Sequence, residues 1–146
     1  LARLRNQVDL PICADESVFD HRDALKLIKA GAADYLNIKL GKSGGIHTGL
    51  KINAIAESAR MKCMIGCFGE SRLALSAATH FAMARPNIHF IDLDSCYHFE
   101  TDPVIGGMNY DDKIGGLLNI SDDIGHGAAF IESELEDKIT IKSTMN

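Results

Sequence analysis

Two hydrophobic periods alternate along the first hundred residues of this chain. Short, nearly continuous apolar runs read as strands at Ile12–Asp15, Tyr35–Leu40, Cys63–Cys67 and Phe90–Asp94. The stretches between them carry apolar residues on one helical face. Asp20 is placed to cap the first helix, with Asp23 three positions on, where a carboxylate suits the helix dipole. Ala24, Leu25, Leu27 and Ile28 form its inward face, and Gly31 stands where a glycine closes a helix. A second helix is predicted from Ile46 to Arg60, with Leu50, Ile55 and Ala59 inward. A third, dense in alanine, spans Ser71–Ala84 and ends at Arg85-Pro86-Asn87. Asp15, Lys39, Cys67 and Asp92 recur every 24 to 28 residues. That is the period of a βα unit, and successive right-handed crossovers build a parallel sheet.

After about Glu100 the pattern changes. Gly106-Gly107, Gly115-Gly116 and Gly125 divide short apolar pieces that have no helical period. Residues 1–100 therefore read as four βα units, and 101–146 as an extension of turns and short strands that packs against something else. The opening Leu1-Ala2-Arg3-Leu4-Arg5 reads as the last turn of a helix already under way, so the chain is expected to be a piece of a longer protein. Four βα units do not close a (β/α)8 barrel, which needs about 250 residues. Half a barrel and a small doubly wound sheet are the two candidates. The candidate polar groups all fall at the C-terminal ends of their strands, which suits the barrel, although the rival shares that rule.

Lys39 stands out within this pattern. In Tyr35-Leu36-Asn37-Ile38-Lys39-Leu40, Leu36, Ile38 and Leu40 point one way while Tyr35, Asn37 and Lys39 point the other. A strand this apolar between two helices is expected to be covered on both faces. A buried ammonium needs a carboxylate partner or a shifted pKa, and burial readily turns lysine into a general base. Asp15 on the adjacent strand is the natural partner, so Lys39 is either half of a structural ion pair or an acid/base group.

The other candidates carry the same double reading. Alternation sends Asp15 to one face with Cys13, and Glu16 to the other. Asp15 is placed either to bind a hard cation such as Mg²⁺ or to cap the following loop. Asp92 and Asp94 share a strand face and repel unless a cation, metal or ammonium, lies between them; the plain alternative is a solvated strand end, which the flanking Phe90, Ile91 and Leu93 disfavour. Gly41–Gly45 reads as a tight βα turn, since it lacks the spacing of a phosphate loop.

Bulk composition narrows the partners. The chain is 46% hydrophobic and 24% charged, which suits one globular unit. Its net charge of -5, with no basic run, argues against nucleic acid. No apolar stretch is long enough to span a bilayer, and no secretory pattern opens the chain, so the cytoplasm is the default. The four cysteines read as reduced core thiols rather than disulfides. On an extended strand Cys63 and Cys67 lie roughly 13 Å apart, too far to share a zinc.

Taken together, these segments resemble the C-terminal half of an enolase-superfamily barrel of the muconate-lactonizing type, and especially the dipeptide epimerases. The matching motifs are Pro-Ile-Cys-Ala-Asp-Glu-Ser at 11–17, Asn-Ile-Lys-Leu at 37–40, Lys-Ser-Gly-Gly-Ile at 42–46, Lys-Ile-Asn-Ala-Ile-Ala-Glu at 51–57, Met-Ile-Gly-Cys at 64–67 and Ile-Asp-Leu-Asp at 91–94. The resemblance implies barrel strands five to eight, with a tail packing on an absent capping domain. It implies that Asp15 is one of three acidic Mg²⁺ ligands and that Lys39 is one of two lysines flanking the substrate α-carbon. Asp92 and Asp94 would hold the α-ammonium of a dipeptide, and Cys67, Gly69 and Glu70 would line the pocket. The implied reaction is 1,1-proton transfer at the C-terminal residue of a dipeptide, in a full-length enzyme that assembles from identical subunits. The same resemblance admits N-acylamino acid racemisation, cycloisomerisation or o-succinylbenzoate synthesis, and a non-catalytic piece stands as the alternative outside enzymology. The first four strands, two metal ligands and the partner lysine lie outside this sequence.

Overall fold

A computed structural model describes residues 1–111 and 113–135. The end of the expected extension, 136–146, lies outside the described residues. After a single helical turn, α1 (Ala2–Arg5), the chain enters a repeating βα pattern. Strands β1 (Cys13–Ala14), β2 (Tyr35–Lys39), β3 (Lys62–Gly66) and β4 (Ile88–Ile91) form one parallel sheet in sequential order. The connections are α2 (His21–Lys29), then α3 (Leu40–Ser43) with α4 (Ile46–Ser58), then α5 (Arg72–Met83).

Local chemistry sets the helix ends. The Asp20 carboxylate accepts the backbone N–H groups of Arg22 and Asp23 at 2.7 and 3.0 Å, capping α2 as its sequence predicts. At the other end Gly31 adopts φ +55°, the Gly31 N–H reaches the Ile28 carbonyl, and the Ala32 N–H reaches that of Leu27. This is a Schellman closure, and it needs the left-handed residue at Gly31. The segment expected as a plain turn at Gly41–Gly45 instead winds one helical turn from the end of β2 before Gly44 stops it at φ +77°.

Register sorts the side chains onto two faces. Leu36 pairs with Cys63, Asn37 with Met64, Ile38 with Ile65, and Lys39 with Gly66. Ala14, Leu36, Ile38, Cys63 and Ile65 are buried together with Val18, Ala24, Ile52, Ala56, Leu75, Ala78 and Phe81. Burial there pushes the Cys63 thiol up to about 12. The opposite face carries Cys13, Tyr35, Met64 and Phe90, which are exposed or half-buried. The expectation that both faces would be covered is therefore corrected: among the described residues helices cover one face only, the face on which the strands are uniformly apolar. A doubly wound sheet carries helices on both. On the open face the rings of Tyr35 and Phe90 meet edge-on, 5.0 Å between centroids.

The segment after residue 100 forms two short antiparallel pairs, β5 (Val104–Gly106) with β8 (Ala128–Phe130), and β6 (Asn109–Tyr110) with β7 (Leu118–Asn119). Its expected partner was an absent domain, yet it already packs within the chain, on α5. Arg72 donates to Asp102 at 2.5 Å and to the Val104 carbonyl, while Ser76 Oγ accepts from the Met108 N–H at 2.8 Å. Val104 and Met108 are buried beside them. Gly107, at φ +75°, lies so close to Ser76 that a Cβ would collide with its hydroxyl. Among the described residues no helix is long and apolar enough to cross a membrane.

Because Ile65 is fully buried at the centre of the covered face, Ile65→Ala should destabilise the fold by about 2–5 kcal/mol. Denaturant unfolding of the full-length protein measures this.

Candidate active site

The parallel strands deliver their polar residues to one end of the sheet. β1 stops at Ala14, so Asp15 and Glu16 lie just past it, beside Lys39 at the end of β2. Lys39 Nζ lies 3.0 Å from Asp15 Oδ2 and 3.0 Å from Glu16 Oε1, with 12% of its side chain exposed. The Phe68 ring covers it at 4.8 Å. Lys39 and Asp15 are thus brought together as anticipated. Glu16 departs from the expectation that it faces away: strand alternation no longer applies beyond Ala14, and the turn brings both carboxylates to the same ammonium.

A second lysine completes the cluster. Lys42 lies on the turn of helix after β2, with none of its side chain exposed. It donates to Asp15 Oδ1 at 2.7 Å, to the Asp15 carbonyl at 2.7 Å and to the Asn37 carbonyl at 3.1 Å. Asp15 therefore divides its oxygens between two ammonium groups. Partial burial alone would raise its carboxyl, but the hydrogen bonds from Lys42 and Lys39 outweigh this and hold it below the usual range. For Lys39, desolvation pulls downwards, yet the bonds to Asp15 and Glu16 win and its pKa is raised. A lysine tuned towards neutrality by burial is not what this arrangement contains; two carboxylates at 3.0 Å keep it an ammonium.

Behind Lys39, Asn37 is buried on the open face with its Oδ1 lacking a partner among the described residues. It fits only because position 66 is glycine: a Cβ there would lie 2.7 Å from Asn37 Oδ1. Cys67 comes directly after β3, half-buried against the core. The Glu70 carboxylate rests on Gly41, and its backbone N–H and carbonyl both bond Ser95 Oγ, at 3.2 and 3.1 Å. Gly69 stands in open space.

Asp92 continues the ladder through its N–H to the Ile65 carbonyl at 2.9 Å. Asp92 and Asp94 are exposed, as are Phe90 and Ile91, because β4 is the edge of the sheet. The expectation that flanking apolar residues would keep these carboxylates from solvent is corrected accordingly. They line a cavity of about 610 Å³ with Tyr97, Tyr110 and Asp111. No ion pair among the described residues links them to Lys39.

A profile of the family described as "Enolase C-terminal domain-like" matches residues 1–134. The chain belongs to that family. Its relatives include a hydrophobic dipeptide epimerase of Enterococcus faecalis, 47% identical over 128 residues, covering 87% of this chain and 36% of the relative. An L-Ala-D/L-Glu epimerase of Bacillus subtilis is 39% identical over 139 residues, covering 93% and 37%. Among solved structures, a dipeptide epimerase from Cytophaga hutchinsonii complexed with Mg and D-Ala-L-Val superposes with a TM-score of 0.84 at 40% identity, covering 89% of this chain and 35% of that one. The chain spans about a third of the length of these relatives.

Within this enolase-family domain, a Mg²⁺ ion needs about six oxygen ligands in near-octahedral geometry. Asp15 suits one such position: a carboxylate at the strand ends, 35% exposed. Among the described residues no group of three His, Cys, Asp or Glu side chains is arranged to hold a metal. Glu16 and Lys42 join the cluster although the strand pattern of the sequence does not single them out. The available signal for Lys42 was its spacing, three residues after Lys39, which one helical turn carries back over the strand end.

The ion cluster makes stability depend on pH at both ends of the scale. The lowered Asp15 carboxyl contributes above its unfolded-chain value, about 4, and that contribution is lost as acid carries the pH through the lower folded value. The raised Lys39 ammonium contributes below about 10.4, and its share is lost as alkali passes the higher folded value. Calorimetric Tm profiles of the full-length protein should show a shallower acid fall for Asp15→Asn and a shallower alkaline fall for Lys39→Met. Slopes equal to the parent's would count against the cluster.

Proposed function

We propose that residues 1–100 form strands five to eight of a (β/α)8 barrel, that 101–146 form its C-terminal extension, and that the full-length protein is a dipeptide epimerase. A single helical layer, an open face that carries Met64 and Phe90 beside Asn37 and Lys39, and two free sheet edges support the barrel half, since closure would cover that face and both edges. The observation that carries the functional reading is the meeting of Lys39 and Asp15, 3.0 Å apart at the C-terminal ends of their strands.

In this reading the α-proton of the dipeptide's C-terminal residue is removed and returned. A Mg²⁺ held in part by Asp15 would bind the substrate carboxylate and stabilise the negative charge that builds as the proton leaves. Lys39 faces one side of the α-carbon. As an ammonium it donates a proton there; as an amine, after leaving Asp15 and Glu16, it accepts one. Phe68 limits water at its Nζ. Asp92 and Asp94 accept hydrogen bonds from the substrate α-ammonium, and Cys67, Gly69 and Glu70 line the intervening wall. Inversion requires a second acid/base group on the opposite side, from the other half of the barrel. The full-length enzyme would be a cytoplasmic assembly of identical subunits.

Lys39→Ala in the full-length enzyme should lower epimerisation by about 10²–10⁴-fold, followed by NMR as exchange of the α-proton in D₂O; turnover at the parent rate would refute the assignment. Asp92→Asn with Asp94→Asn should raise KM for a free dipeptide about 10–100-fold through loss of charge-assisted hydrogen bonds. An N-acylated substrate, with no ammonium to hold, should be little affected. The reverse preference would favour N-acylamino acid racemisation instead.

A further inference from the structure

Lys42 has more contacts than a helix-turn residue needs. All three donors of its ammonium are used, on Asp15 Oδ1, the Asp15 carbonyl and the Asn37 carbonyl. Two of those acceptors are main-chain oxygens, one from the chain leaving β1 and one from within β2. β1 pairs with β2 only through Cys13 with Tyr35 and Ala14 with Leu36. The ladder therefore stops one residue short of Asp15, and no backbone pairing holds Asp15 against β2. Lys42 does so from below, by a side chain with no exposed surface.

We infer that Lys42 is a positioning residue for Asp15. It occupies Oδ1 and the carbonyl together, so the carboxylate cannot turn, and Oδ2 is left facing Lys39 and the open side of the sheet. The role extends the reading of Asp15 as a Mg²⁺ ligand and rests on it. A buried cation beside a cation site also makes the test directional. On charge alone, deleting Lys42 removes a repulsion and tightens Mg²⁺; lost positioning weakens it. Groups that orient a metal ligand in this way are typically worth about 10–100-fold in metal affinity or activity.

The experiment is titration of MgCl₂ into the full-length protein by isothermal calorimetry, with Lys42→Met as a variant of similar shape and no charge. The expected result is Mg²⁺ binding weakened about 10–100-fold, with a fall in kcat and little change in KM for the dipeptide. An unchanged or tighter Mg²⁺ Kd overturns the inference. Asp15→Asn is titrated alongside: parent-like Mg²⁺ affinity there would refute the reading of Asp15 as a ligand, whereas weakened binding in Asp15→Asn with parent-like binding in Lys42→Met would refute the role of Lys42 alone. Should Lys42→Met fail to fold, the double variant Asp15→Asn/Lys42→Met decides. Recovery of a Tm above either single variant is expected if the two side chains are buried for each other; no recovery overturns the pairing.

Discussion

The site depends on one carboxylate shared by two ammonium groups. Asp15 holds Lys42 on one oxygen at 2.7 Å and Lys39 on the other at 3.0 Å. Such a cluster is a poor source of stability. Desolvating the charges cancels much of their attraction, and well-packed apolar side chains of the same volume often serve as well. What the cluster supplies is relative position. β1 contributes two residues to the sheet, too few for its ladder to orient Asp15 and Glu16 beyond its end. The ion contacts continue the join where the backbone stops.

The division of the sheet into two faces makes this arrangement possible. Leu36, Ile38, Cys63 and Ile65 secure the strands beneath the helices, so the other face is free to carry Tyr35, Asn37 and Lys39. Gly66 shows how closely the two demands meet. It pairs with Lys39 in the ladder, and its missing side chain makes room for Asn37 one step away. Hydrophobic burial fixes the strand order from one side, and polar groups use that order from the other.

The βα rhythm was legible because its signals are local: apolar runs of strand length, the Asp20 cap, the left-handed Gly31. The pairing of Lys39 with Asp15 was legible because adjacent parallel strands bring their ends together. Glu16 escapes the strand alternation, which holds only within a strand, because β1 ends two residues earlier. The exposure of Asp92 and Asp94 was not legible, because apolar neighbours protect a residue only when something covers them, and an edge position is a property of the whole sheet. The docking of the C-terminal segment rests on Arg72 and Ser76 reaching residues about thirty positions away, which no periodicity announces.

The electrostatics of Lys39 bear on how the proposed proton transfer must run. A lysine hydrogen-bonded to two carboxylates is stabilised as a cation, which suits a proton donor and opposes a proton acceptor. The same residue can serve both directions only if its carboxylate contacts change between them. Asp15 is the contact best placed to change: in the proposed mechanism it would help to hold the metal that supplies charge stabilisation, while Lys42 keeps Oδ1. Glu16, 62% exposed and joined to nothing else on the strand ends, can swing into solvent at little cost. A desolvated lysine freed from both would move towards neutrality, beneath Phe68 and away from water. In the proposed mechanism, the ion cluster thus corresponds to the resting, proton-loaded state of Lys39.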